Sequence, residues 1–87
     1  MREFEYVVTE PAGLHARPAA NLVRFAGGLA SSVKIGRAGA GKTANAKSVL
    51  NVLALAVKAG DTVYFEVEGA TEEQDAQTLF EYCEKEL

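Results

Sequence analysis

Apolar and polar residues alternate from Arg2 to Thr9, with Phe4, Tyr6 and Val8 on one side, and this period of two predicts a strand. Glu10-Pro11-Ala12-Gly13 then predicts a turn. From Ala16 to Ala26 the period lengthens, and Ala19, Leu22, Val23 and Ala26 fall on one helical stripe. Pro18 lacks the N–H that a helix interior requires, so it fits only a first turn. The helix therefore starts just after His15, and Gly27-Gly28 ends it.

Ser32 to Gly36 reads as a short strand, followed by a Gly-rich loop from Arg37 to Gly41 and a second short strand through Lys42 to Asn45. Ser48 suits the N-cap of an apolar helical stretch, Val49 to Val57. After the turn Ala59-Gly60-Asp61, residues Thr62 to Glu68 alternate, with Val63, Phe65 and Val67 facing inward. Thr71-Glu72-Glu73-Gln74 has the form of a capping box opening a last helix, whose stripe is Ala76, Leu79, Phe80 and Cys83. On that stripe Cys83 is a packed core thiol rather than a nucleophile. The order strand, helix, strand, strand, helix, strand, helix predicts one α+β domain over residues 1–87. Its economical layout is a four-stranded antiparallel sheet with three helices on one face.

Composition adds little to this picture, but charge changes it. The chain has 87 residues, 48% hydrophobic and 24% charged, as expected of a globular domain. No apolar run approaches the ~18 residues that span a bilayer, and the start does not read as a signal peptide. A single cysteine forbids an internal disulfide and fits a reducing, cytoplasmic setting. The net charge of -3 conceals an asymmetry. Between Pro11 and Gly60 lie Arg17, Arg24, Lys34, Arg37, Lys42, Lys47 and Lys58 and no acid, whereas nine of the twelve acids follow from Asp61 onward. A single-sign block of this length suits a phosphate or an acidic protein surface. Spread-out bases and a negative total speak against nucleic acid. One histidine and one buried cysteine cannot make a metal ligand set, and nothing in the sequence calls for a cofactor.

The chemistry gathers at His15. The helix after it begins with orphan N–H groups, expected at Ala16, Arg17 and Ala19, and its positive pole favours an anion. Arg17 adds a guanidinium fork matched to phosphoryl oxygens. Arg17, Asn21 and Arg24, spaced i, i+4, i+7, share an exposed face. A neutral imidazole is a competent nucleophile near neutral pH, and a phosphorylated one passes its group on. On these residues alone, a histidine that merely ends a loop is an equally good reading.

The octapeptide Gly13-Leu14-His15-Ala16-Arg17-Pro18-Ala19-Ala20 resembles the active-site signature of the histidine-containing phosphocarrier HPr family of the bacterial phosphoenolpyruvate-dependent sugar phosphotransferase system. The likeness extends to length, element order and the second motif Lys42-Thr43-Ala44-Asn45-Ala46-Lys47-Ser48. It implies an open-faced β-sandwich and a monomeric, cytoplasmic carrier that is not itself an enzyme. His15 would accept a phosphoryl group on Nδ1 from Enzyme I and pass it to IIA domains of sugar permeases, while Arg17 stabilises the group. Ser48 matches the serine that an ATP-dependent kinase phosphorylates in Gram-positive members, which brings a serine kinase/phosphatase and a transcription regulator among the implied partners. The chain carries Asn51 where glycine is common in that branch, a departure at the kinase-recognition segment. A phosphate on Ser48 would set negative charge beside the surface that meets acidic partners. The stretch after Ser48 is apolar nearly all round, so some of Val49, Leu50, Leu53 and Ala54 must face solvent. Together with Arg24 and Lys47, Val49, Leu50 and Leu53 read as a partner-docking surface.

Three other readings compete. Gly36-Arg37-Ala38-Gly39-Ala40-Gly41-Lys42-Thr43 matches the P-loop pattern GxxxxGK[ST] residue for residue. A P-loop enzyme also needs a parallel sheet and a magnesium-binding Asp closing a later strand. Asp61 opens a strand instead, and the segment falls where the family has a hairpin, here about two residues longer. His-x-Arg-Pro loosely suggests a histidine phosphatase, but no second histidine or nearby acid is available as proton donor. A regulatory paralogue serving nitrogen or carbon control would share His15, and the sequence leaves it open.

Overall fold

The computed structural model describes every residue from Met1 to Leu87. Its elements are β1 (Arg2–Val7), α1 (Ala16–Gly27), β2 (Ser32–Arg37), β3 (Thr43–Asn45), α2 (Val49–Ala54), β4 (Thr62–Glu68) and α3 (Glu72–Glu86), the predicted order. The strands form one antiparallel sheet in the order β1-β4-β2-β3, so β4 enters between β1 and β2. Three helices cover one face, giving the open-faced sandwich.

The register turns the period-two pattern into a two-sided sheet. Phe4 pairs with Phe65, Phe65 with Ile35 and Ile35 with Ala44, an apolar row across all four strands. One step along, Glu3 pairs with Glu66, Glu66 with Lys34 and Lys34 with Asn45, the row that meets water. Val63, Phe65 and Val67 are all fully buried, as their alternation predicts. The Phe4 ring stacks on Phe65 at 5.0 Å and meets Phe80 of α3 edge-on at 5.4 Å, which fastens α3 to β1. From α1 the core takes Ala19, Leu22 and Ala26, and from α3 Leu79 and Cys83, with Val23, Ala76 and Phe80 half-buried. Burial pushes the Cys83 thiol up to about 12, which keeps it protonated and inert.

Two sequence expectations need correction. The predicted helix Val49 to Val57 stops at Ala54. Ala56 turns left-handed (φ 54), and this kink lets Leu55 and Val57 both point into the core, which a continued helix could not do. The capping box does not form either. Thr71 Oγ1 donates to the Asp75 carboxylate at 2.8 Å instead of capping the helix, and Glu72 rather than Gln74 reaches back, accepting from the Gly69 N–H at 3.2 Å. A tertiary partner wins here: Asp75 also accepts from the Ser31 N–H (3.0 Å) and hydroxyl (2.6 Å), and these bonds hold its carboxyl below the usual range, the Ser31 hydroxyl first.

The segment Gly36 to Thr43 is the β2–β3 hairpin, with Gly36 paired to Thr43. Its loop is built on Gly39 and Gly41, both at positive φ. An antiparallel hairpin has no strand-to-helix turn in which to cradle a nucleotide, so the P-loop match is a coincidence of sequence. No helix is long and apolar enough to cross a membrane.

Candidate functional site

His15 occupies the N-cap of α1 with extended backbone (φ -82, ψ -169), and its imidazole makes no capping bond and is exposed. The residues before it are anchored. The Leu14 side chain is buried, and its N–H donates to the Val57 carbonyl at 3.0 Å. Gly13 has φ 61, and a Cβ there would lie 2.5 Å from the Val57 oxygen and 2.8 Å from the Lys58 Cα. Only glycine lets the two chain segments come this close while taking a left-handed turn. His15 is thus an exposed side chain on a backbone fixed from both sides, by the core at Leu14 and by the helix at Ala16.

The helix end differs from expectation in one donor. The Ala19 N–H is already used, donating to the His15 carbonyl at 2.9 Å as the first helical bond. Pro18 has no N–H, so the amides left for an anion are those of Ala16 and Arg17, which bond to no protein acceptor. Counting four residues in from the cap, rather than from the first helical residue, gives this answer from sequence. Arg17 is exposed and makes no ion pair or hydrogen bond within the chain, and Arg24 donates to Asn21 at 3.4 Å on the same face. No acid of the chain contacts His15.

Beside α1 packs α2. Ser48 is its N-cap, half-buried, its hydroxyl accepting from the Asn51 N–H at 3.4 Å. Val49 and Leu50 are exposed, Leu50 at 79%, and Ala54 is exposed while Leu53 is half-buried against the core. Lys47 does not join that patch as a free cation: its ammonium donates to the Leu29 carbonyl at 3.0 Å, tying β3 to the end of α1. Arg17, Arg24, Val49 and Leu50 lie at the surface, Leu53 and Lys47 are half-buried, and Lys47 has one of its ammonium donors on the Leu29 carbonyl.

Two features were missed by reading the residues one by one. Gly13 and Leu14 belong to the quoted octapeptide, yet their work is to pin the His15 loop to Val57, 43 residues away, and no local signal names that partner. The Ser31–Asp75–Thr71 cluster likewise joins groups 44 residues apart and lies outside the site.

Residues 2–85 match the family model described as the PTS HPr component phosphorylation site. The phosphocarrier protein HPr of Lysinibacillus sphaericus is 39% identical over 79 residues, spanning 91% of this chain and 88% of the relative. HPr-like protein Crh of Halalkalibacterium halodurans is 36% identical over 86 residues, 99% of this chain and 100% of the relative. The solved structure of HPr-C-His from Thermoanaerobacter tengcongensis superimposes with a TM-score of 0.90 at 32% identity, covering 99% of this chain and 94% of that one. Fold, element order and relatives along nearly the whole length agree, and the chain belongs to the HPr phosphocarrier family of the phosphotransferase system.

Proposed function

We propose that His15 is the residue on which this phosphocarrier holds its cargo, taking the phosphoryl group from Enzyme I charged by phosphoenolpyruvate and giving it to IIA domains of sugar permeases. The observation that carries this reading is an exposed imidazole at the positive end of a 12-residue helix, beside two amides with no protein acceptor. In the accepting step the unprotonated ring nitrogen attacks phosphorus; a new N–P bond forms as the donor's bond to phosphorus breaks, and the donor keeps that electron pair. The Ala16 and Arg17 amides and the Arg17 guanidinium take up charge on the phosphoryl oxygens. In the giving step the same bond breaks, and His15 returns to the neutral ring. Neither step requires a metal on this chain.

The test is incubation with phosphoenolpyruvate, magnesium and a bacterial Enzyme I, followed by intact-mass analysis before and after mild acid. One acid-labile phosphoryl group, absent from His15→Ala, is the expected result. A label retained in His15→Ala would sink the assignment.

A second, compatible reading is regulatory. The full-length relationship to an HPr-like protein named Crh supports it, as does Ser48 at an N-cap between Lys47 and the exposed Val49–Leu50 patch. Phosphate there would repel acidic partners from the docking surface. Val49, Leu50, Leu53 and Arg24 are the residues proposed to touch Enzyme I and IIA domains.

A further inference from the structure

Ala56 is the only residue other than glycine that takes a positive φ in this chain, at 54°. A side chain strains there because its Cβ crowds the following carbonyl oxygen, and a methyl group has no hydrogen bond to offset that. The Ala56 side chain is exposed, so no packing of its own selects the conformation. Its neighbours select it: Leu55 and Val57, each 4% exposed, both enter the core and force the left-handed turn between them. This turn leads directly to the site. The Ala56 N–H donates to the Leu53 carbonyl at 3.1 Å at the end of α2, and the carbonyl of the next residue, Val57, accepts the Leu14 N–H at 3.0 Å. The same Val57 oxygen stands 2.5 Å from where a Gly13 Cβ would be. One residue and one hydrogen bond therefore separate the strained backbone from the loop that carries the imidazole.

Two tendencies oppose each other in this turn. Burial of Leu55 and Val57 holds it closed, while its own backbone strain favours release. Relaxation of Ala56 to the right-handed region would swing the chain beyond it, carrying the Val57 side chain out of the core and its carbonyl away from Leu14. Gly39, Gly41 and Gly60 also have positive φ, but glycine takes it without steric cost, so their turns carry no such opposition. We infer that Ala56 is a positioning residue for phosphoryl transfer. Its strained turn aims the Val57 carbonyl that holds Leu14, and through it His15, and makes this support open before the rest of the domain. The effect on transfer rests on the carrier reading of His15; the opening does not.

The experiment compares wild type, Ala56→Gly, Ala56→Asn and Ala56→Val as full chains. Native-state amide exchange is followed at Leu14 and at Phe65 in the middle of the sheet, with and without mild urea. In wild type Leu14 should exchange through an opening that urea hardly changes, whereas Phe65 should show the steep urea dependence of global unfolding. Because the side chain is exposed, the series changes chiefly the cost of the left-handed turn. Glycine and asparagine take positive φ readily, so Leu14 exchange should slow about 3- to 10-fold, while β-branched valine should speed it by about the same factor. Phosphoryl acceptance is then measured over a range of charged Enzyme I concentrations. Ala56→Val should lower the maximal rate about 3- to 10-fold with the half-saturating concentration within about twofold of wild type, and Ala56→Gly should restore the rate. Leu14 exchange that tracks Phe65 in urea, or that does not slow in the Gly and Asn variants, overturns the inference even if the Val variant fails to fold. A folded Val variant with the wild-type maximal rate overturns the positioning role and leaves the carrier reading standing. A wild type that takes no label at all overturns that role together with the carrier reading, and the exchange result stands by itself.

Discussion

Replacing Gly13 with alanine tests how the fold presents His15. The new Cβ would stand 2.5 Å from the Val57 oxygen and 2.8 Å from the Lys58 Cα, both backbone atoms that cannot swing aside. Holding alanine at φ 61 costs about 1–2 kcal/mol, of which about 0.4–1 is offset by the smaller entropy of the unfolded chain. Relieving the clash pulls the loop from Val57, losing the Leu14 hydrogen bond, worth about 1 kcal/mol, and part of the burial of Leu14. The expected loss is about 2–4 kcal/mol, or a Tm lower by roughly 10–25 °C at this chain length. Gly39→Ala is the matched control, because Gly39 has φ 85 but nothing within 4 Å of its would-be Cβ, and its cost should stay near 1 kcal/mol or below. Urea unfolding of the two variants, with m unchanged, gives the difference directly. Equal costs would refute the argument from close approach. The Gly13→Ala protein that does fold should also accept the phosphoryl group about a hundredfold more slowly, since a displacement of ~1 Å at a reacting group has that effect.

Arg17→Ala should slow transfer by about 10²-fold with little change in affinity for Enzyme I, as loss of one preorganised charge donor does elsewhere; a rate within twofold of wild type would remove Arg17 from the mechanism. Ser48→Asp should weaken binding to Enzyme I several-fold in a calorimetric titration, and unchanged affinity would contradict the regulatory reading. Asp75→Asn should lower Tm at neutral pH. Because the Ser31 and Thr71 hydroxyls hold the native carboxyl below its unfolded value, its contribution is full above the usual carboxylate range and fades as pH falls through the lowered value. The gap between wild type and variant should therefore close in acid, and a gap that does not vary with pH would disprove that cause.

Much of this protein is local enough to be legible in one dimension. The alternation over Thr62–Glu68 marks a strand buried on one face, and its bounds and inward residues are those observed, because sheet pleat alone imposes that period. Pro18 and Gly27-Gly28 bracket α1 to within a residue, since a proline without an N–H and a flexible glycine pair act on their own turn of chain. His15 could be placed at the helix start for the same reason, and with it the anion-favouring end.

What the sequence could not decide concerns groups brought together from far apart. An apolar run from Val49 to Val57 satisfies a helix equally well throughout, and it stops at Ala54 only because Leu55 and Val57 have places in a core assembled by other elements. Thr71 abandons its own helix end because Asp75 is drawn by Ser31, and the Lys47 ammonium finds a carbonyl on Leu29, 18 residues away. The strand order β1-β4-β2-β3 likewise follows from pairing between distant segments. Sequence by itself determined the elements, the inward faces and the place of the one imidazole at the start of α1, since each depends on neighbours within a turn or a pleat. Tertiary structure alone decided what holds that imidazole outward and which cations stand free around it, because long-range packing chooses among local conformations of nearly equal energy.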